Sequence, residues 1–109
     1  MELNEYQKRA LATMKPWASK NDQILNGLLG LSGEVGEIHE LFKHHFVKEN
    51  ELDLVALKKE LGDIMWYIAE LCDVYGFTMQ DVADQNLKKL AARYGEKFHM
   101  NENRTGEGE

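Results

Sequence analysis

The chain has 109 residues, 43% hydrophobic and 29% charged, with one Pro. That composition excludes a disordered or collagen-like polymer and predicts a single domain over residues 1 to 100. Thirteen Lys and Arg against 19 Asp and Glu give a net charge of -6, which withholds the long-range attraction that binders of nucleic acids and anionic membranes use.

The apolar run from Ile64 to Ala69 falls far short of the ~20 residues of a membrane span. Cys72 has no intrachain partner and no basic leader follows Met1, so a cytoplasmic protein is expected. Four helical segments follow from the periodicity, and the predicted class is an all-α helical bundle. The first segment opens at Asn4, a capping residue with Gln7 three positions on, and has Leu3, Tyr6, Ala10, Met14 and Trp17 near one face until Pro16 frays it at Lys15. The second is expected from Ile24 to Val47, with Leu28, Leu31, Val35, Ile38 and Phe42 as its apolar stripe. Its glycines Gly27, Gly30, Gly33 and Gly36 each cost about 1 kcal/mol in a helix relative to Ala. They imply close packing or room for a ligand, or else a loop that ends where a helix starts at Ser32.

The third segment opens at Asp53 and repeats the stripe with Leu54, Leu57, Leu61, Ile64, Ile68, Leu71 and Tyr75, stopping at Gly76. The fourth begins at Thr78, a cap with Asp81 at its third helical position, and ends at Tyr94 before Gly95. Residues 101–109, without an apolar side chain, are expected to be a disordered tail.

Two pairs of acids border the two stripes. Glu34 and Glu37 lie three apart on the second helix, as Glu60 and Asp63 do on the third, and residues at that spacing are neighbours on a helix surface. At ~100° per residue, Glu34 and Glu60 each fall roughly 70° from the centre of their stripe, with Glu37 and Asp63 further round on the same side. Antiparallel packing through the stripes, favoured by the short connection from Lys48 to Leu52, brings the four carboxylates together. Four such groups repel unless a cation lies between them. Their oxygens suit Mg2+, whereas His39, His44 and His45 do not share a direction and no zinc set is present. One acid pair would read as a solvated surface; two matched pairs point to metal. On the fourth helix Asn86, Lys89 and Arg93 follow at three and four residue steps, and by spacing alone they are equally a solvated row or a row of donors for phosphate and sugar oxygens.

Three blocks, Gly30-Leu31-Ser32-Gly33-Glu34-Val35-Gly36-Glu37, Glu60-Leu61-Gly62-Asp63-Ile64-Met65-Trp66-Tyr67 and Asn86 to Tyr94, stand in order over residues 25 to 98. Together they resemble the MazG-like nucleoside triphosphate pyrophosphohydrolases, whose signature is ExxE, a spacer and ExxD. The spacer here is the 22 residues from Ile38 to Lys59. The resemblance implies an all-α NTP pyrophosphatase fold in which Glu34, Glu37, Glu60 and Asp63 bind Mg2+, or Mn2+ in its place. It further implies that a nucleoside triphosphate is split to a monophosphate and pyrophosphate, with Lys89 and Arg93 on the phosphates and Asn86 toward the sugar. Water attack at the α-phosphorus is the expected mechanism, with a carboxylate such as Glu37 taking the proton and the choice among the four acids left open. Gly95 stands where relatives often carry Pro, which alters a helix stop and no ligand. Trp17, Trp66 and Tyr67 are either core or a stacking surface for a base, and base preference stays open. The alternatives are a phosphoribosyl-ATP pyrophosphohydrolase-like enzyme and a non-catalytic, metal-binding dimerisation module. Apolar residues off the stripes, among them Leu25, Leu29, Trp66 and Val74, predict a homodimer or homotetramer.

Overall fold

The structure of the chain, a computed structural model, describes residues 1–95, which form four α-helices and no strand. These are α1 (Leu3–Leu11), α2 (Lys20–Val47), α3 (Leu54–Val74) and α4 (Met79–Tyr94). The tail expected at residues 101–109 lies outside the described residues. The chain divides into two compact units, Met1–Met79 and a second that begins at Gln80.

α1 is shorter than its periodicity suggests. It stops at Leu11, so Met14 and Trp17 lie beyond it. The cause is a competition for the Ala10 carbonyl: the Thr13 hydroxyl donates to it at 2.7 Å, the Thr13 N–H at 3.0 Å and the Trp66 indole N–H at 3.2 Å. A side chain that bonds back to the preceding turn competes with helix propagation. At the other end Glu2, and not Asn4, holds the cap position. Gln7, expected as a capping partner, is buried and works far from its own helix. Its amide donates to the Phe77 carbonyl at 3.0 Å, and its oxygen accepts from the Met79 N–H at 2.7 Å.

α2 is one unbroken helix of 28 residues that starts at Lys20, because Ser19 accepts from the Asp22 N–H at 3.1 Å and caps it. A loop through Gly27 to Gly33 is thereby excluded. Two of its glycines serve close approach: a Cβ on Gly27 would sit 2.9 Å from Leu71 Cδ2, and one on Gly30 would overlap the Tyr67 ring. Gly33, Gly36 and Gly62 have no such neighbour within 4 Å. Asp53 caps α3 as expected, accepting from the Ala56 N–H at 3.0 Å. Gly76 turns the chain out of α3 with φ 75°, and Gly95 ends α4 with φ 53°, conformations in which glycine carries no Cβ penalty.

α3 packs against α2 and against α1. The core of buried Ala10, Ala69, Cys72 and Met79 is flanked by Leu3, Tyr6, Trp66 and Ile68. The stripes of α2 and α3 do not meet squarely. Close contact at Gly27 and Gly30 draws the glycine side of α2 toward α3, and part of each stripe is left uncovered. Leu28 and Val35 of α2 and Leu54 and Leu61 of α3 remain 41–67% exposed, as does Met65 off the α3 stripe at 39%. An apolar groove is lined by Ile24 and Leu28 of α2 and by Ile68, Leu71 and Tyr75 of α3. No described helix is long and apolar enough to cross a membrane.

Candidate active site

Along the line where α2 meets α3, contacts step in opposite directions on the two helices. Gln23 donates to Asp73 Oδ2 at 3.0 Å, Asn26 donates to both carboxylate oxygens of Glu70 at 2.9 and 3.1 Å, and Gly30 faces Tyr67. One turn further come the acids. Glu34, Glu37 and Glu60 each offer a carboxylate oxygen within 4.8 Å of the others. Antiparallel packing is therefore what converts i,i+3 spacing on two helices into one cluster. Of the four acids expected to converge, these three share the cluster. Asp63, one turn on from Glu60, lines an adjoining pocket of about 330 Å³ with Trp66 and Tyr67.

The electrostatics are those of crowded acids. Glu34 Oε1 is buried and has no hydrogen-bond donor, as follows when a carboxylate's neighbours are themselves acceptors. Its pKa is pushed up to about 8, first by hydrogen bonding of its protonated form to Glu60, then by burial and by Glu37. Tyr67 is raised by burial and then by the negative field of Glu34, Glu70, Asp63 and Glu37, and Tyr6 by burial and then by Asp63. The donor set consists of carboxylate oxygens, and Glu34 carries a buried oxygen with no donor of its own, so these residues fit a hard divalent cation. His45 is engaged elsewhere, with Nδ1 2.7 Å from the Asn50 carbonyl oxygen and its ring edge-on to Phe46; His39 and His44 are exposed.

Asn86, Lys89 and Arg93 are exposed on α4, in the second unit, at the spacing expected. The aromatic residues divide. Trp66 donates to Ala10 and Thr13, holding α1 to α3, and also lines the Asp63 pocket, where Tyr67 meets it edge-on at 5.2 Å. Trp17 lies beneath the Lys15 ammonium at 4.6 Å. Asn26 and Glu70 were not expected from the sequence. A signal was present: the amides Gln23 and Asn26 are three apart on α2, as Glu70 and Asp73 are on α3, mirroring the acid pairs.

Residues 23–98 match the family model of the MazG nucleotide pyrophosphohydrolase domain. The chain belongs to this family. The MazG match takes in α2 from Gln23 onward, α3 and α4, hence every acid of the cluster and the row on α4, and leaves α1 outside. The gene 37 protein of Mycobacterium phage L5 is 37% identical over an alignment 105 positions long, gaps included, that covers 85% of this MazG chain and 89% of the relative. No solved structure gives a significant match.

Proposed function

We propose that this MazG-family protein is a Mg2+-dependent nucleoside triphosphate pyrophosphohydrolase that converts an NTP or dNTP and water to the monophosphate and pyrophosphate. The observation that carries this reading is the cluster of Glu34, Glu37 and Glu60 with the donorless Glu34 Oε1, beside a pocket that Asp63 shares with two aromatic rings. Glu34, Glu37 and Glu60, with Asp63 one turn on, would hold Mg2+ or Mn2+, which when bound neutralises phosphate charge and makes a coordinated water more acidic.

The remaining work belongs to the chain. Glu37, exposed in the cluster, takes a proton from the attacking water as oxygen bonds to the α-phosphorus and the bond to the bridging oxygen breaks, so that pyrophosphate leaves. Trp66 and Tyr67 offer ring faces and edges beside Asp63 for the nucleoside. Lys89 and Arg93 serve as phosphate donors and Asn86 as a partner for the sugar. Those three assignments rest on the family resemblance and on exposed donors following one another along α4. Positioning and charge neutralisation account for most of such catalysis.

The same reading includes a second copy of the chain on the uncovered side of α2 and α3. Leu28, Val35, Leu54, Leu61 and Met65 are large apolar side chains left exposed on these helices, and apolar surface of this kind is what a stable dimer covers, at roughly 800 Å² per partner. Light scattering should give a dimer or a tetramer; a monomer at micromolar concentration overturns this part.

The deciding experiment is hydrolysis of a panel of ribo- and deoxyribonucleoside triphosphates in oxygen-18 water with Mg2+, followed by phosphorus NMR. The label should appear on the monophosphate, with unlabelled pyrophosphate released. Labelled pyrophosphate would place the attack at the β-phosphorus, and diphosphate with labelled orthophosphate would refute the reaction class. Metal binding without turnover of any nucleotide would mark a non-catalytic module.

A further inference from the structure

The contacts between α2 and α3 form a ladder with two kinds of rung. At one end an amide of α2 meets an acid of α3, Gln23 with Asp73 and Asn26 with Glu70. At the other, acid meets acid, Glu34 and Glu37 with Glu60. Between them Gly30 lies against the Tyr67 ring. The amide rungs are satisfied within the chain, whereas the acid rungs repel.

We propose that the Asn26–Glu70 rung sets the register of α2 on α3, and that both residues are positioning residues for the acid cluster, acting through the helices that carry it. Glu70 is the one fully buried large side chain among the described residues, at 0% exposure. Both of its carboxylate oxygens accept from the single Asn26 amide. Sliding α2 by one residue moves its facing side chains by about 1.5 Å along the axis and ~100° around it. Asn26 then leaves Glu70, and a buried carboxylate stands unpaired, which is among the costliest local defects in a fold. Apolar residues at the same positions would tolerate neighbouring registers far better, as a buried polar residue in a coiled coil illustrates by fixing register at the expense of stability. Gly27 contributes by clearance, since a Cβ there would approach Glu70 Oε1 to 3.5 Å and Leu71 to 2.9 Å. Repulsion among Glu34, Glu37 and Glu60 pushes the helices away from the observed alignment. The Asn26–Glu70 rung opposes that push two turns away.

The link to cation binding rests on the metal reading of the cluster; the register itself does not. Two readouts on the whole chain separate them. The first is the Gly30 Hα resonance, which the Tyr67 ring should displace by its ring current only in the observed register. The second is Mn2+ affinity without nucleotide, measured by electron paramagnetic resonance. In the apolar pair Asn26→Leu with Glu70→Met, helicity and melting temperature should be retained, because well-packed apolar side chains often replace buried polar pairs without loss. The displaced Gly30 line should nevertheless broaden or vanish, and Mn2+ should bind at least tenfold more weakly. The exchange Asn26→Asp with Glu70→Gln keeps both shapes and reverses donor and acceptor, so both readouts should recover. An apolar pair that keeps the Gly30 line and the wild-type affinity overturns the proposal. So does unfolding of both this pair and the smaller Asn26→Ala with Glu70→Leu, since the rung would then serve the fold as a whole. If wild-type protein binds no Mn2+, the metal reading fails, and the Gly30 line alone decides the register.

Discussion

Replacing Glu34 with Gln should flatten the pH dependence of stability in the metal-free protein. Hydrogen bonding to Glu60, burial and the neighbouring Glu37 raise the Glu34 pKa from 4.5 to about 8. The folded chain therefore keeps a proton that the unfolded chain releases between those values. Stability contributed by this proton is present below pH 4.5 and is lost as pH rises through 8. Carried over in full, the difference amounts to on the order of 5 kcal/mol, at about 1.4 kcal/mol for each tenfold change. Glu34 is only half-buried, and solvent screening reduces the effect to about 1–2 kcal/mol. For a domain of this size that corresponds to roughly 4–16 °C in melting temperature. The assay is thermal denaturation by circular dichroism in EDTA at pH 5 and pH 8.5, at one protein concentration. Wild-type protein should lose more melting temperature between the two pH values than Glu34→Gln does, and the variant should be the more stable at pH 8.5. Excess Mg2+ should lift wild-type protein at high pH and narrow the gap, because binding to the folded state alone stabilises it. Parallel pH profiles for the two proteins, with and without Mg2+, would refute the crowded-acid account.

Gly30→Ala should destabilise the fold by about 1–3 kcal/mol in chemical denaturation, since its Cβ meets the Tyr67 ring. Gly62→Ala, with no neighbour within 4 Å, should stabilise α3 by up to about 1 kcal/mol; a stabilising Gly30→Ala beside a destabilising Gly62→Ala would contradict the described packing. Gln7→Ala removes bonds to Phe77 and Met79 from a buried site and should cost about 1–3 kcal/mol, read as a lower denaturant midpoint at unchanged slope. Lys89→Ala and Arg93→Ala should weaken nucleotide turnover at least tenfold while leaving Mn2+ affinity in the absence of nucleotide unchanged; equal loss of both would exclude a phosphate role.

Much of this architecture can be read from local chemistry. Asp53 caps α3 through a bond to a residue three positions on, and Gly76 and Gly95 end their helices through their own backbone angles. The acid pairs are legible for the same reason, because i,i+3 spacing on a helix is a local property. What escaped depends on partners distant in the chain. Nothing near Ala10 announces that Trp66 will compete for its carbonyl, and nothing near Gln7 announces the start of α4. Periodicity located the stripes but not the side on which α2 and α3 touch, which the contact of Gly30 with Tyr67 decides. Asp63 shows the reach of the spacing argument: it lies on the expected side, beside the cluster rather than within it.

The edge-on pair of Trp66 and Tyr67 also gives the molecule a built-in optical probe. At 5.2 Å between centroids, the two rings lie well within the range over which an excited tyrosine passes its energy to tryptophan, so light absorbed by Tyr67 emerges as Trp66 emission. That emitter borders the pocket it shares with Asp63, whereas Trp17 sits beneath the Lys15 ammonium. In a Trp17→Phe background the remaining indole emission becomes a single-site signal. Its spectrum and quenching would follow whatever enters that pocket, without a label and without turnover.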